Sequence, residues 1–209
     1  VAGEGATPVV VGVGGVVGGV FGVADTVRPG AREAVEGLAQ RGVEIMMLTG
    51  DVEAAAGRVA ELTGVSKVRA RVTPDEKARV VQALRDEGRV VAMVGDGIND
   101  APALATADVG IAMGSGTDVA LLTGDVALMG DSLRGVDTLL RISGATHRNI
   151  VQNLFGAFIY NVIGIPVAAG ALYPALGLRL SPMIAGAAMA LSSVTVVANA
   201  NRLRRYRPD

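Results

Sequence analysis

Cysteine and tryptophan are absent, histidine occurs once, and Tyr and Phe contribute three residues each to a chain of 209. Without a thiol no disulfide framework can form. Few aromatics, a net charge of −1 and no basic patch inside the folded part argue against a nucleic-acid binder. Charge is also scarce locally, because residues 149–201 carry a single charged side chain, Arg179. What is abundant is apolar: hydrophobic residues make up 50% of the chain and glycine contributes 29 residues. That much apolar surface excludes a disordered chain. The first residue is Val rather than Met, which fits a piece of a longer polypeptide.

The charge-poor region splits into two runs, Asn149–Leu178 and Leu180–Asn201. Each is longer than the roughly 20 residues that an α-helix needs to cross a bilayer core. Between them, Tyr173-Pro174 through Ser181-Pro182 supplies turn residues. The pattern predicts a transmembrane helical hairpin over 150–172 and 183–201, with the lipid bilayer as partner. A buried helix pair of a soluble protein is the alternative, but soluble helices normally keep a charged face. His147-Arg148 and the Arg202–Arg207 tail flank the two ends of the hairpin. Positive flanks mark the cytoplasmic side, so the expectation is a multi-pass protein of the plasma or inner membrane with residues 1–146 in the cytoplasm. The uncharged run Pro8–Ala24 is shorter and rich in Val and Gly, which suits two strands around a Gly14-Gly15 turn. No basic segment precedes it, as a signal peptide would require.

Residues 25–146 alternate between short apolar runs and amphipathic segments. Helices are expected at 32–40, 53–63, 73–87, 99–106 and 131–146, and strands at 43–48, 67–72, 89–94, 108–112 and 125–128. Thr73-Pro74-Asp75-Glu76 has the order of a capping box with Pro at the first helical position. The alternation predicts an α/β fold, a Rossmann-like parallel sheet with helices on both faces. In such sheets ligands bind beyond the carboxyl ends of the strands. Thr49-Gly50-Asp51 and Gly95-Asp96-Gly97-Ile98-Asn99-Asp100 both fall at such ends.

These residues suit magnesium and phosphate chemistry. Asp96 and Asp100 lie on one strand-to-helix turn, where two carboxylates stay charged only beside a cation. Mg²⁺ takes hard oxygen ligands and is commonly held by one or two carboxylates plus phosphate. Gly95 and Gly97 let the backbone approach an ion or phosphate. Thr49 offers a hydroxyl, the amides of Thr49 and Gly50 suit an anion, and Lys77 offers a positive charge. Each group alone also has a plainer reading: Thr49-Gly50-Asp51, Asp96 and Asp100 as helix caps, Lys77 as a solvated side chain.

Taken in order, Thr49-Gly50-Asp51, Thr73-Pro74-Asp75-Glu76-Lys77 and the run Gly95–Leu104 resemble the phosphorylation domain of P-type ATPases, within the haloacid dehalogenase superfamily. Asp25-Thr26-Val27-Arg28-Pro29 resembles that family's return from its nucleotide-binding domain. The resemblance implies ATP hydrolysis coupled to ion transport through an aspartyl-phosphate, with ATP and Mg²⁺ as cofactors. It implies that Thr49 and Lys77 hold the transferred phosphoryl group, with Gly50 beside them. Asp96 and Asp100 would hold Mg²⁺ with Gly97 in the same loop, Asn99 would fix phosphate geometry, and Asp51 would lie near nucleotide and phosphoryl group. The family's Asp-Lys-Thr-Gly-Thr acceptor run does not occur in this sequence. The chain is therefore expected to be the C-terminal part of a pump, inactive alone and partnered by the rest of the pump polypeptide. The implied division is 1–24 as the end of the nucleotide-binding domain, 25–146 as the phosphorylation domain and 147–209 as the membrane hairpin with its basic tail.

Polar groups within the spans are Tyr160 and Asn161 in the first, and Met189, Ser192, Ser193, Thr195 and Asn199 in the second. Met189 and Ser193 share a helix face, and a thioether suits a soft ion such as Cu(I). Helix packing through small and polar residues is the alternative. Tyr160-Asn161 through Pro166 and Met189 through Ser193 resemble the last two helices of copper(I)-transporting members of the heavy-metal branch. The resemblance implies that Tyr160, Asn161, Met189, Ser192 and Ser193 belong to a path for Cu(I), or for Ag(I), which is equally soft. His147 is expected at the membrane boundary, and Pro166 is expected to kink its helix. A membrane-anchored phosphatase of the same superfamily and a non-catalytic truncated subunit are the other classes. The former needs an Asp-x-Asp motif before Thr49, where Asp25 is the sole Asp.

Overall fold

The computed structural model describes residues 7–23, 26–95, 98–114, 123–130, 132–177 and 181–208. The chain divides into two compact units, Val1–Asp137 and Thr138–Asp209.

The first unit opens with an antiparallel pair, β1 (Thr7–Val13) and β2 (Val16–Val23). Gly14 and Gly15 join them with φ of 61° and 82°, the left-handed pair that a tight two-residue hairpin turn requires. Successive strand residues point to opposite faces. Val9, Val10 and Val11 are nevertheless all exposed, so neither face of this ribbon is covered among the described residues.

The elements that follow are α1 (Ala31–Gln40), β3 (Met46–Leu48), α2 (Glu53–Thr63), β4 (Lys67–Arg69), α3 (Pro74–Asp86) and β5 (Ala92–Gly95). A 3₁₀ turn at Ile98–Asp100 then leads into α4 (Ala101–Thr106), β6 (Val109–Met113) and β7 (Val126–Leu128). Every strand pair after the hairpin is parallel, which makes this an α/β fold. Parallel strands alternating with helices are the architecture the sequence predicts, and among the described residues they form two ladders, β3–β4 and β5–β6–β7. Among the described residues no ladder joins β3 to β5. The core is small, with Leu104 and Ala112 fully buried and Met93 packed against them.

Three strands are shorter than their apolar runs because their amides are engaged elsewhere. The Val43 N–H goes to Leu38 O at the end of α1, so β3 begins only at Met46. Arg71 and Val72 donate to the carbonyls of Asp51 and Thr49, so β4 ends at Arg69. Val91 donates to the Asp108 carboxylate, and β5 begins one residue later. The expected capping box is formed: Thr73 Oγ1 accepts from Glu76 N at 3.4 Å, and Glu76 Oε2 accepts from Thr73 N at 2.8 Å.

The helix α5 (Arg134–Ala168) begins in the last residues of the first unit and runs without a break through the expected soluble helix and most of the first span. It stops short of the expected residue 172. Ala169–Leu172 form turns, followed by the one-turn α6 (Tyr173–Leu176). Pro166 lies in the last turn of α5, where its missing N–H costs a single bond. Ser181 caps α7 (Pro182–Asn201) by accepting from Ile184 N at 3.3 Å. A 3₁₀ turn, Arg202–Arg205, continues into the basic tail. Two helices, Arg134–Ala168 and Met183–Arg205, are long and apolar enough to cross a membrane, and their most apolar stretches are unburied.

Candidate functional site

Two of the three motifs at the strand ends lie within the described residues, and the third is described in part. Asp96 and Gly97 lie outside them, as do Asp25 and Arg179.

Thr49 follows β3 directly. Its N–H donates to Arg69 O at 3.0 Å and its carbonyl accepts from Val72 N at 2.9 Å, so the turn after β3 is laced to the segment that leads into α3. Thr49 Oγ1 donates to Asp51 Oδ2 at 2.9 Å and accepts from Asp51 N at 3.1 Å. The helix-cap reading of this triplet fails, because Val52 stands at the N-cap of α2 and makes no side-chain cap bond. Gly50 turns its Cα side toward Val72, whose carbonyl would stand 3.7 Å from an added Cβ.

Sequence reasoning did not single out Arg71. It is the one non-glycine among the described residues with positive φ, at 54°. Its amide binds Asp51 O at 2.8 Å, and its guanidinium pairs with Glu53 at 2.9 Å. A conformation that L-residues avoid, held beside a candidate site, is a strain signal visible only in three dimensions.

Lys77 sits on the first turn of α3. Its Nζ donates to Asp100 Oδ1 at 2.8 Å, and the two side chains are only 15% and 13% exposed. This ion pair excludes a solvated role for Lys77. Asp100 stands at the N-cap of α4 but makes no side-chain cap bond, so its carboxylate serves Lys77 and not the helix. Gly95 permits this placement. A Cβ there would lie 2.6 Å from Asp100 Cβ and 2.8 Å from its Oδ2. Asn99, in the 3₁₀ turn, is exposed.

Several carboxylates around this frame are held below their ordinary pKa. The Thr73 backbone N–H does so for Glu76, and the Val91 N–H, helped by Arg85, does so for Asp108. Lys67 and then Arg89 act on Glu44. The backbone N–H of Glu53 acts on its own carboxylate, with Arg71 second.

The residues expected on the ion path are not gathered into one cluster. Asn161 donates to Ala157 O at 3.1 Å and Ser193 to Met189 O at 3.3 Å, each within its own helix. Met189 is exposed, Tyr160 and Ser192 are half-buried, and His147 is exposed. Among the described residues no group of three His, Cys, Asp or Glu side chains is placed to hold a metal.

A different polar cluster does join the two helices. Asn149, 8% exposed, donates to Asn199 O at 2.8 Å. Asn153 donates to Asn149 Oδ1 at 3.0 Å, and Asn199 donates to Asn153 Oδ1 at 2.9 Å. Asn149 and Asn153 were missed in the sequence, although two Asn four residues apart in a charge-free run are a legible sign.

The haloacid dehalogenase-like hydrolase family matches residues 1–108. The chain is similar to a copper-exporting P-type ATPase of Vibrio cholerae, with 56% identity over 95% of this chain and 22% of the relative. A silver-exporting P-type ATPase of Salmonella typhimurium is 50% identical over 98% of this chain and 25% of its own length. The chain thus spans about a quarter of the length of these curated relatives. A zinc-transporting PIB-type ATPase solved in an E2·Pi state superposes with a TM-score of 0.82, at 39% identity, over 97% of this chain and 32% of that one.

Proposed function

The chain belongs to the haloacid dehalogenase-like hydrolase family, and from that premise we propose that it is the C-terminal part of a P-type ATPase that exports Cu(I) across a membrane. The observation that carries the reading is the Lys77–Asp100 pair, which ties the helix after β4 to the turn after β5. With the Val72 N–H on Thr49 O, it links three polar motifs at strand ends.

In the proposed cycle an acceptor Asp, supplied by another part of the pump, attacks the γ-phosphorus of ATP. The bond to ADP breaks, and water later releases phosphate from the aspartyl-phosphate. Phosphoryl transfer asks mainly for positioning and charge stabilisation. Lys77 supplies a positive charge to the transferred oxygens, and the Thr49 hydroxyl and Gly50 amide orient them. Asp51, held by Thr49, keeps the turn closed beside the nucleotide, and Asn99 fixes the loop. The donor set of Asp100 and Asp96, hard carboxylate oxygens beside a phosphate site, suits Mg²⁺, with Gly97 giving the backbone room. Bound Mg²⁺ would neutralise charge on the phosphoryl group.

The two long apolar helices support a bilayer-spanning hairpin, and the positive flanks favour an orientation with residues 1–146 on the cytoplasmic side and the Arg-rich tail at the same surface. Tyr160, Asn161, Met189, Ser192 and Ser193 supply the uncharged donors for the cargo. The absence of Asp, Glu and Lys from 149–201 favours a soft monovalent ion, Cu(I) or Ag(I), over Zn(II). That several of these donors are exposed fits a site completed by other helices of the pump. The test is vanadate-sensitive ATP hydrolysis by the full-length pump with Cu(I), Ag(I) and Zn(II) compared. Stimulation by Cu(I) and Ag(I) is expected, and stimulation by Zn(II) alone overturns the assignment.

A further inference from the structure

The Asn149–Asn153–Asn199 cluster is joined to a cavity that continues from it between the same two helices. The cavity, about 200 Å³, is lined by Asn153 and Gly156 of α5 and by Ser192, Thr195 and Asn199 of α7. Asn149 and Asn153 of α5 meet Asn199 near the end of α7, and Gly156 lines the cavity with the earlier Ser192 and Thr195, so the two helices run antiparallel. Along such a pair the two residue numbers at one depth have a constant sum, because both helices rise 1.5 Å per residue. Asn149 and Asn153 both bond Asn199, which centres residue 151 on residue 199. Ten residues further, about 15 Å along each axis, the same register brings Asn161 level with Met189.

We infer that the Asn149–Asn153–Asn199 carboxamides are a register clamp whose role is to hold Asn161 and Met189 at one depth. The inference rests on the proposed Cu(I) path for the meaning of that depth, but not for the clamp itself. Three features support it. The hydrogen bonds are reciprocal: Asn199 offers its backbone carbonyl to Asn149 and its amide to Asn153 Oδ1. Asn199 Oδ1 in turn accepts from Arg202 at 3.2 Å, which ties the clamp to the basic tail. The rest of the interface is poor in such bonds, since Ser193 and Thr195 turn their hydroxyls back onto their own helix. Leu and Val faces slide past one another in lipid at little cost, whereas an unpaired carboxamide does not. A polar group that specifies register is the best-attested use of buried polarity between helices. A slip of one turn would move Met189 about 5.4 Å from its level. These Asn residues are positioning residues, because they touch each other and not the cargo.

The test uses the full-length pump with spin labels at Gly164→Cys and Gly186→Cys, whose numbers have the same sum as Asn161 and Met189. Two readouts are taken: the label-to-label distance distribution, and the Cu(I) concentration for half-maximal ATP hydrolysis. Phosphorylation from inorganic phosphate monitors the catalytic head. Asn199→Ala is expected to broaden or shift the distance and raise the half-activating Cu(I) concentration about tenfold, with phosphorylation from phosphate retained. Asn153→Ala, which leaves the Asn199 side chain its bonds to Gln152 at 3.4 Å and from Arg202 at 3.2 Å, should give a smaller change of the same kind, and it decides the matter if Asn199→Ala does not fold. Unchanged distances in both variants overturn the clamp. A changed distance with unchanged Cu(I) activation overturns the positioning role. A parent pump indifferent to Cu(I) refutes the cargo assignment, while the distances still decide the clamp.

Discussion

Adding one carbon at Gly95 tests the proposed phosphoryl site most directly. The Cβ of Gly95→Ala would stand 2.6 Å from Asp100 Cβ and 2.8 Å from Asp100 Oδ2. Non-bonded carbons settle at about 3.5–4.0 Å, so Asp100 must retreat by roughly 1 Å. The 2.8 Å bond from Lys77 would then stretch past hydrogen-bonding range. Both side chains are largely shielded from water, so little solvent screening softens the loss. At an effective dielectric of about 20, lengthening the pair by ~1 Å removes about 1.5 kcal/mol, near tenfold in an equilibrium constant. Overpacking adds about 1–3 kcal/mol to the cost of folding. The assay is phosphorylation of the full-length pump by inorganic phosphate as Mg²⁺ is titrated. Gly95→Ala is expected to raise the half-saturating Mg²⁺ about tenfold and to lower heat resistance. Gly57→Ala is the control, because a Cβ there meets open space. An unchanged Mg²⁺ dependence in Gly95→Ala would refute the assigned role of the Lys77–Asp100 pair.

Other perturbations follow from the same geometry. Leu104, 1% exposed against Ala112 and Met93, anchors the small core. Leu104→Ala should destabilise the first unit by about 2–5 kcal/mol, measured by urea unfolding monitored with pulse proteolysis. Thr73→Ala removes both side-chain bonds to Glu76 and should cost about 1 kcal/mol by the same measurement, whereas Thr73→Ser should restore most of it. Glu44, Glu76 and Asp108 bind protons less readily in the folded chain than in the unfolded one. Their contribution to stability is therefore complete above the ordinary carboxylate pKa and is lost as pH falls through that value toward the lowered one. Denaturant midpoints should thus fall between about pH 5 and pH 3, and Asp108→Asn should flatten that part of the profile. A midpoint that rises on acidification contradicts the assigned partners.

The order of elements was legible because Gly, Pro and caps punctuate it. Glu53–Thr63 and the Thr73 capping box stand where the sequence puts them. Strand ends were not legible at Val43, Val72 and Val91, because apolar character cannot show that an amide is committed to a carbonyl outside the ladder. The split into two ladders was equally hidden, since alternation predicts parallel neighbours but not which neighbours meet. At the site, Thr49, Lys77 and Asp100 could be named from their motifs. Only the fold decided between cap and ion pair for Asp100, and only the fold exposed the strain at Arg71. In the apolar helices the donors were read from residue type, while the depth relation between Asn161 and Met189 emerged from hydrogen bonds that two unremarked Asn residues make.

The break between β3 and β5 has a practical meaning. Among the described residues no strand pairs with the outer edges of either ladder, which leaves short rows of backbone donors and acceptors there. Such a margin is adhesive. Produced by itself, this polypeptide should self-associate through those margins, and a single short β-segment offered in trans should compete with that association.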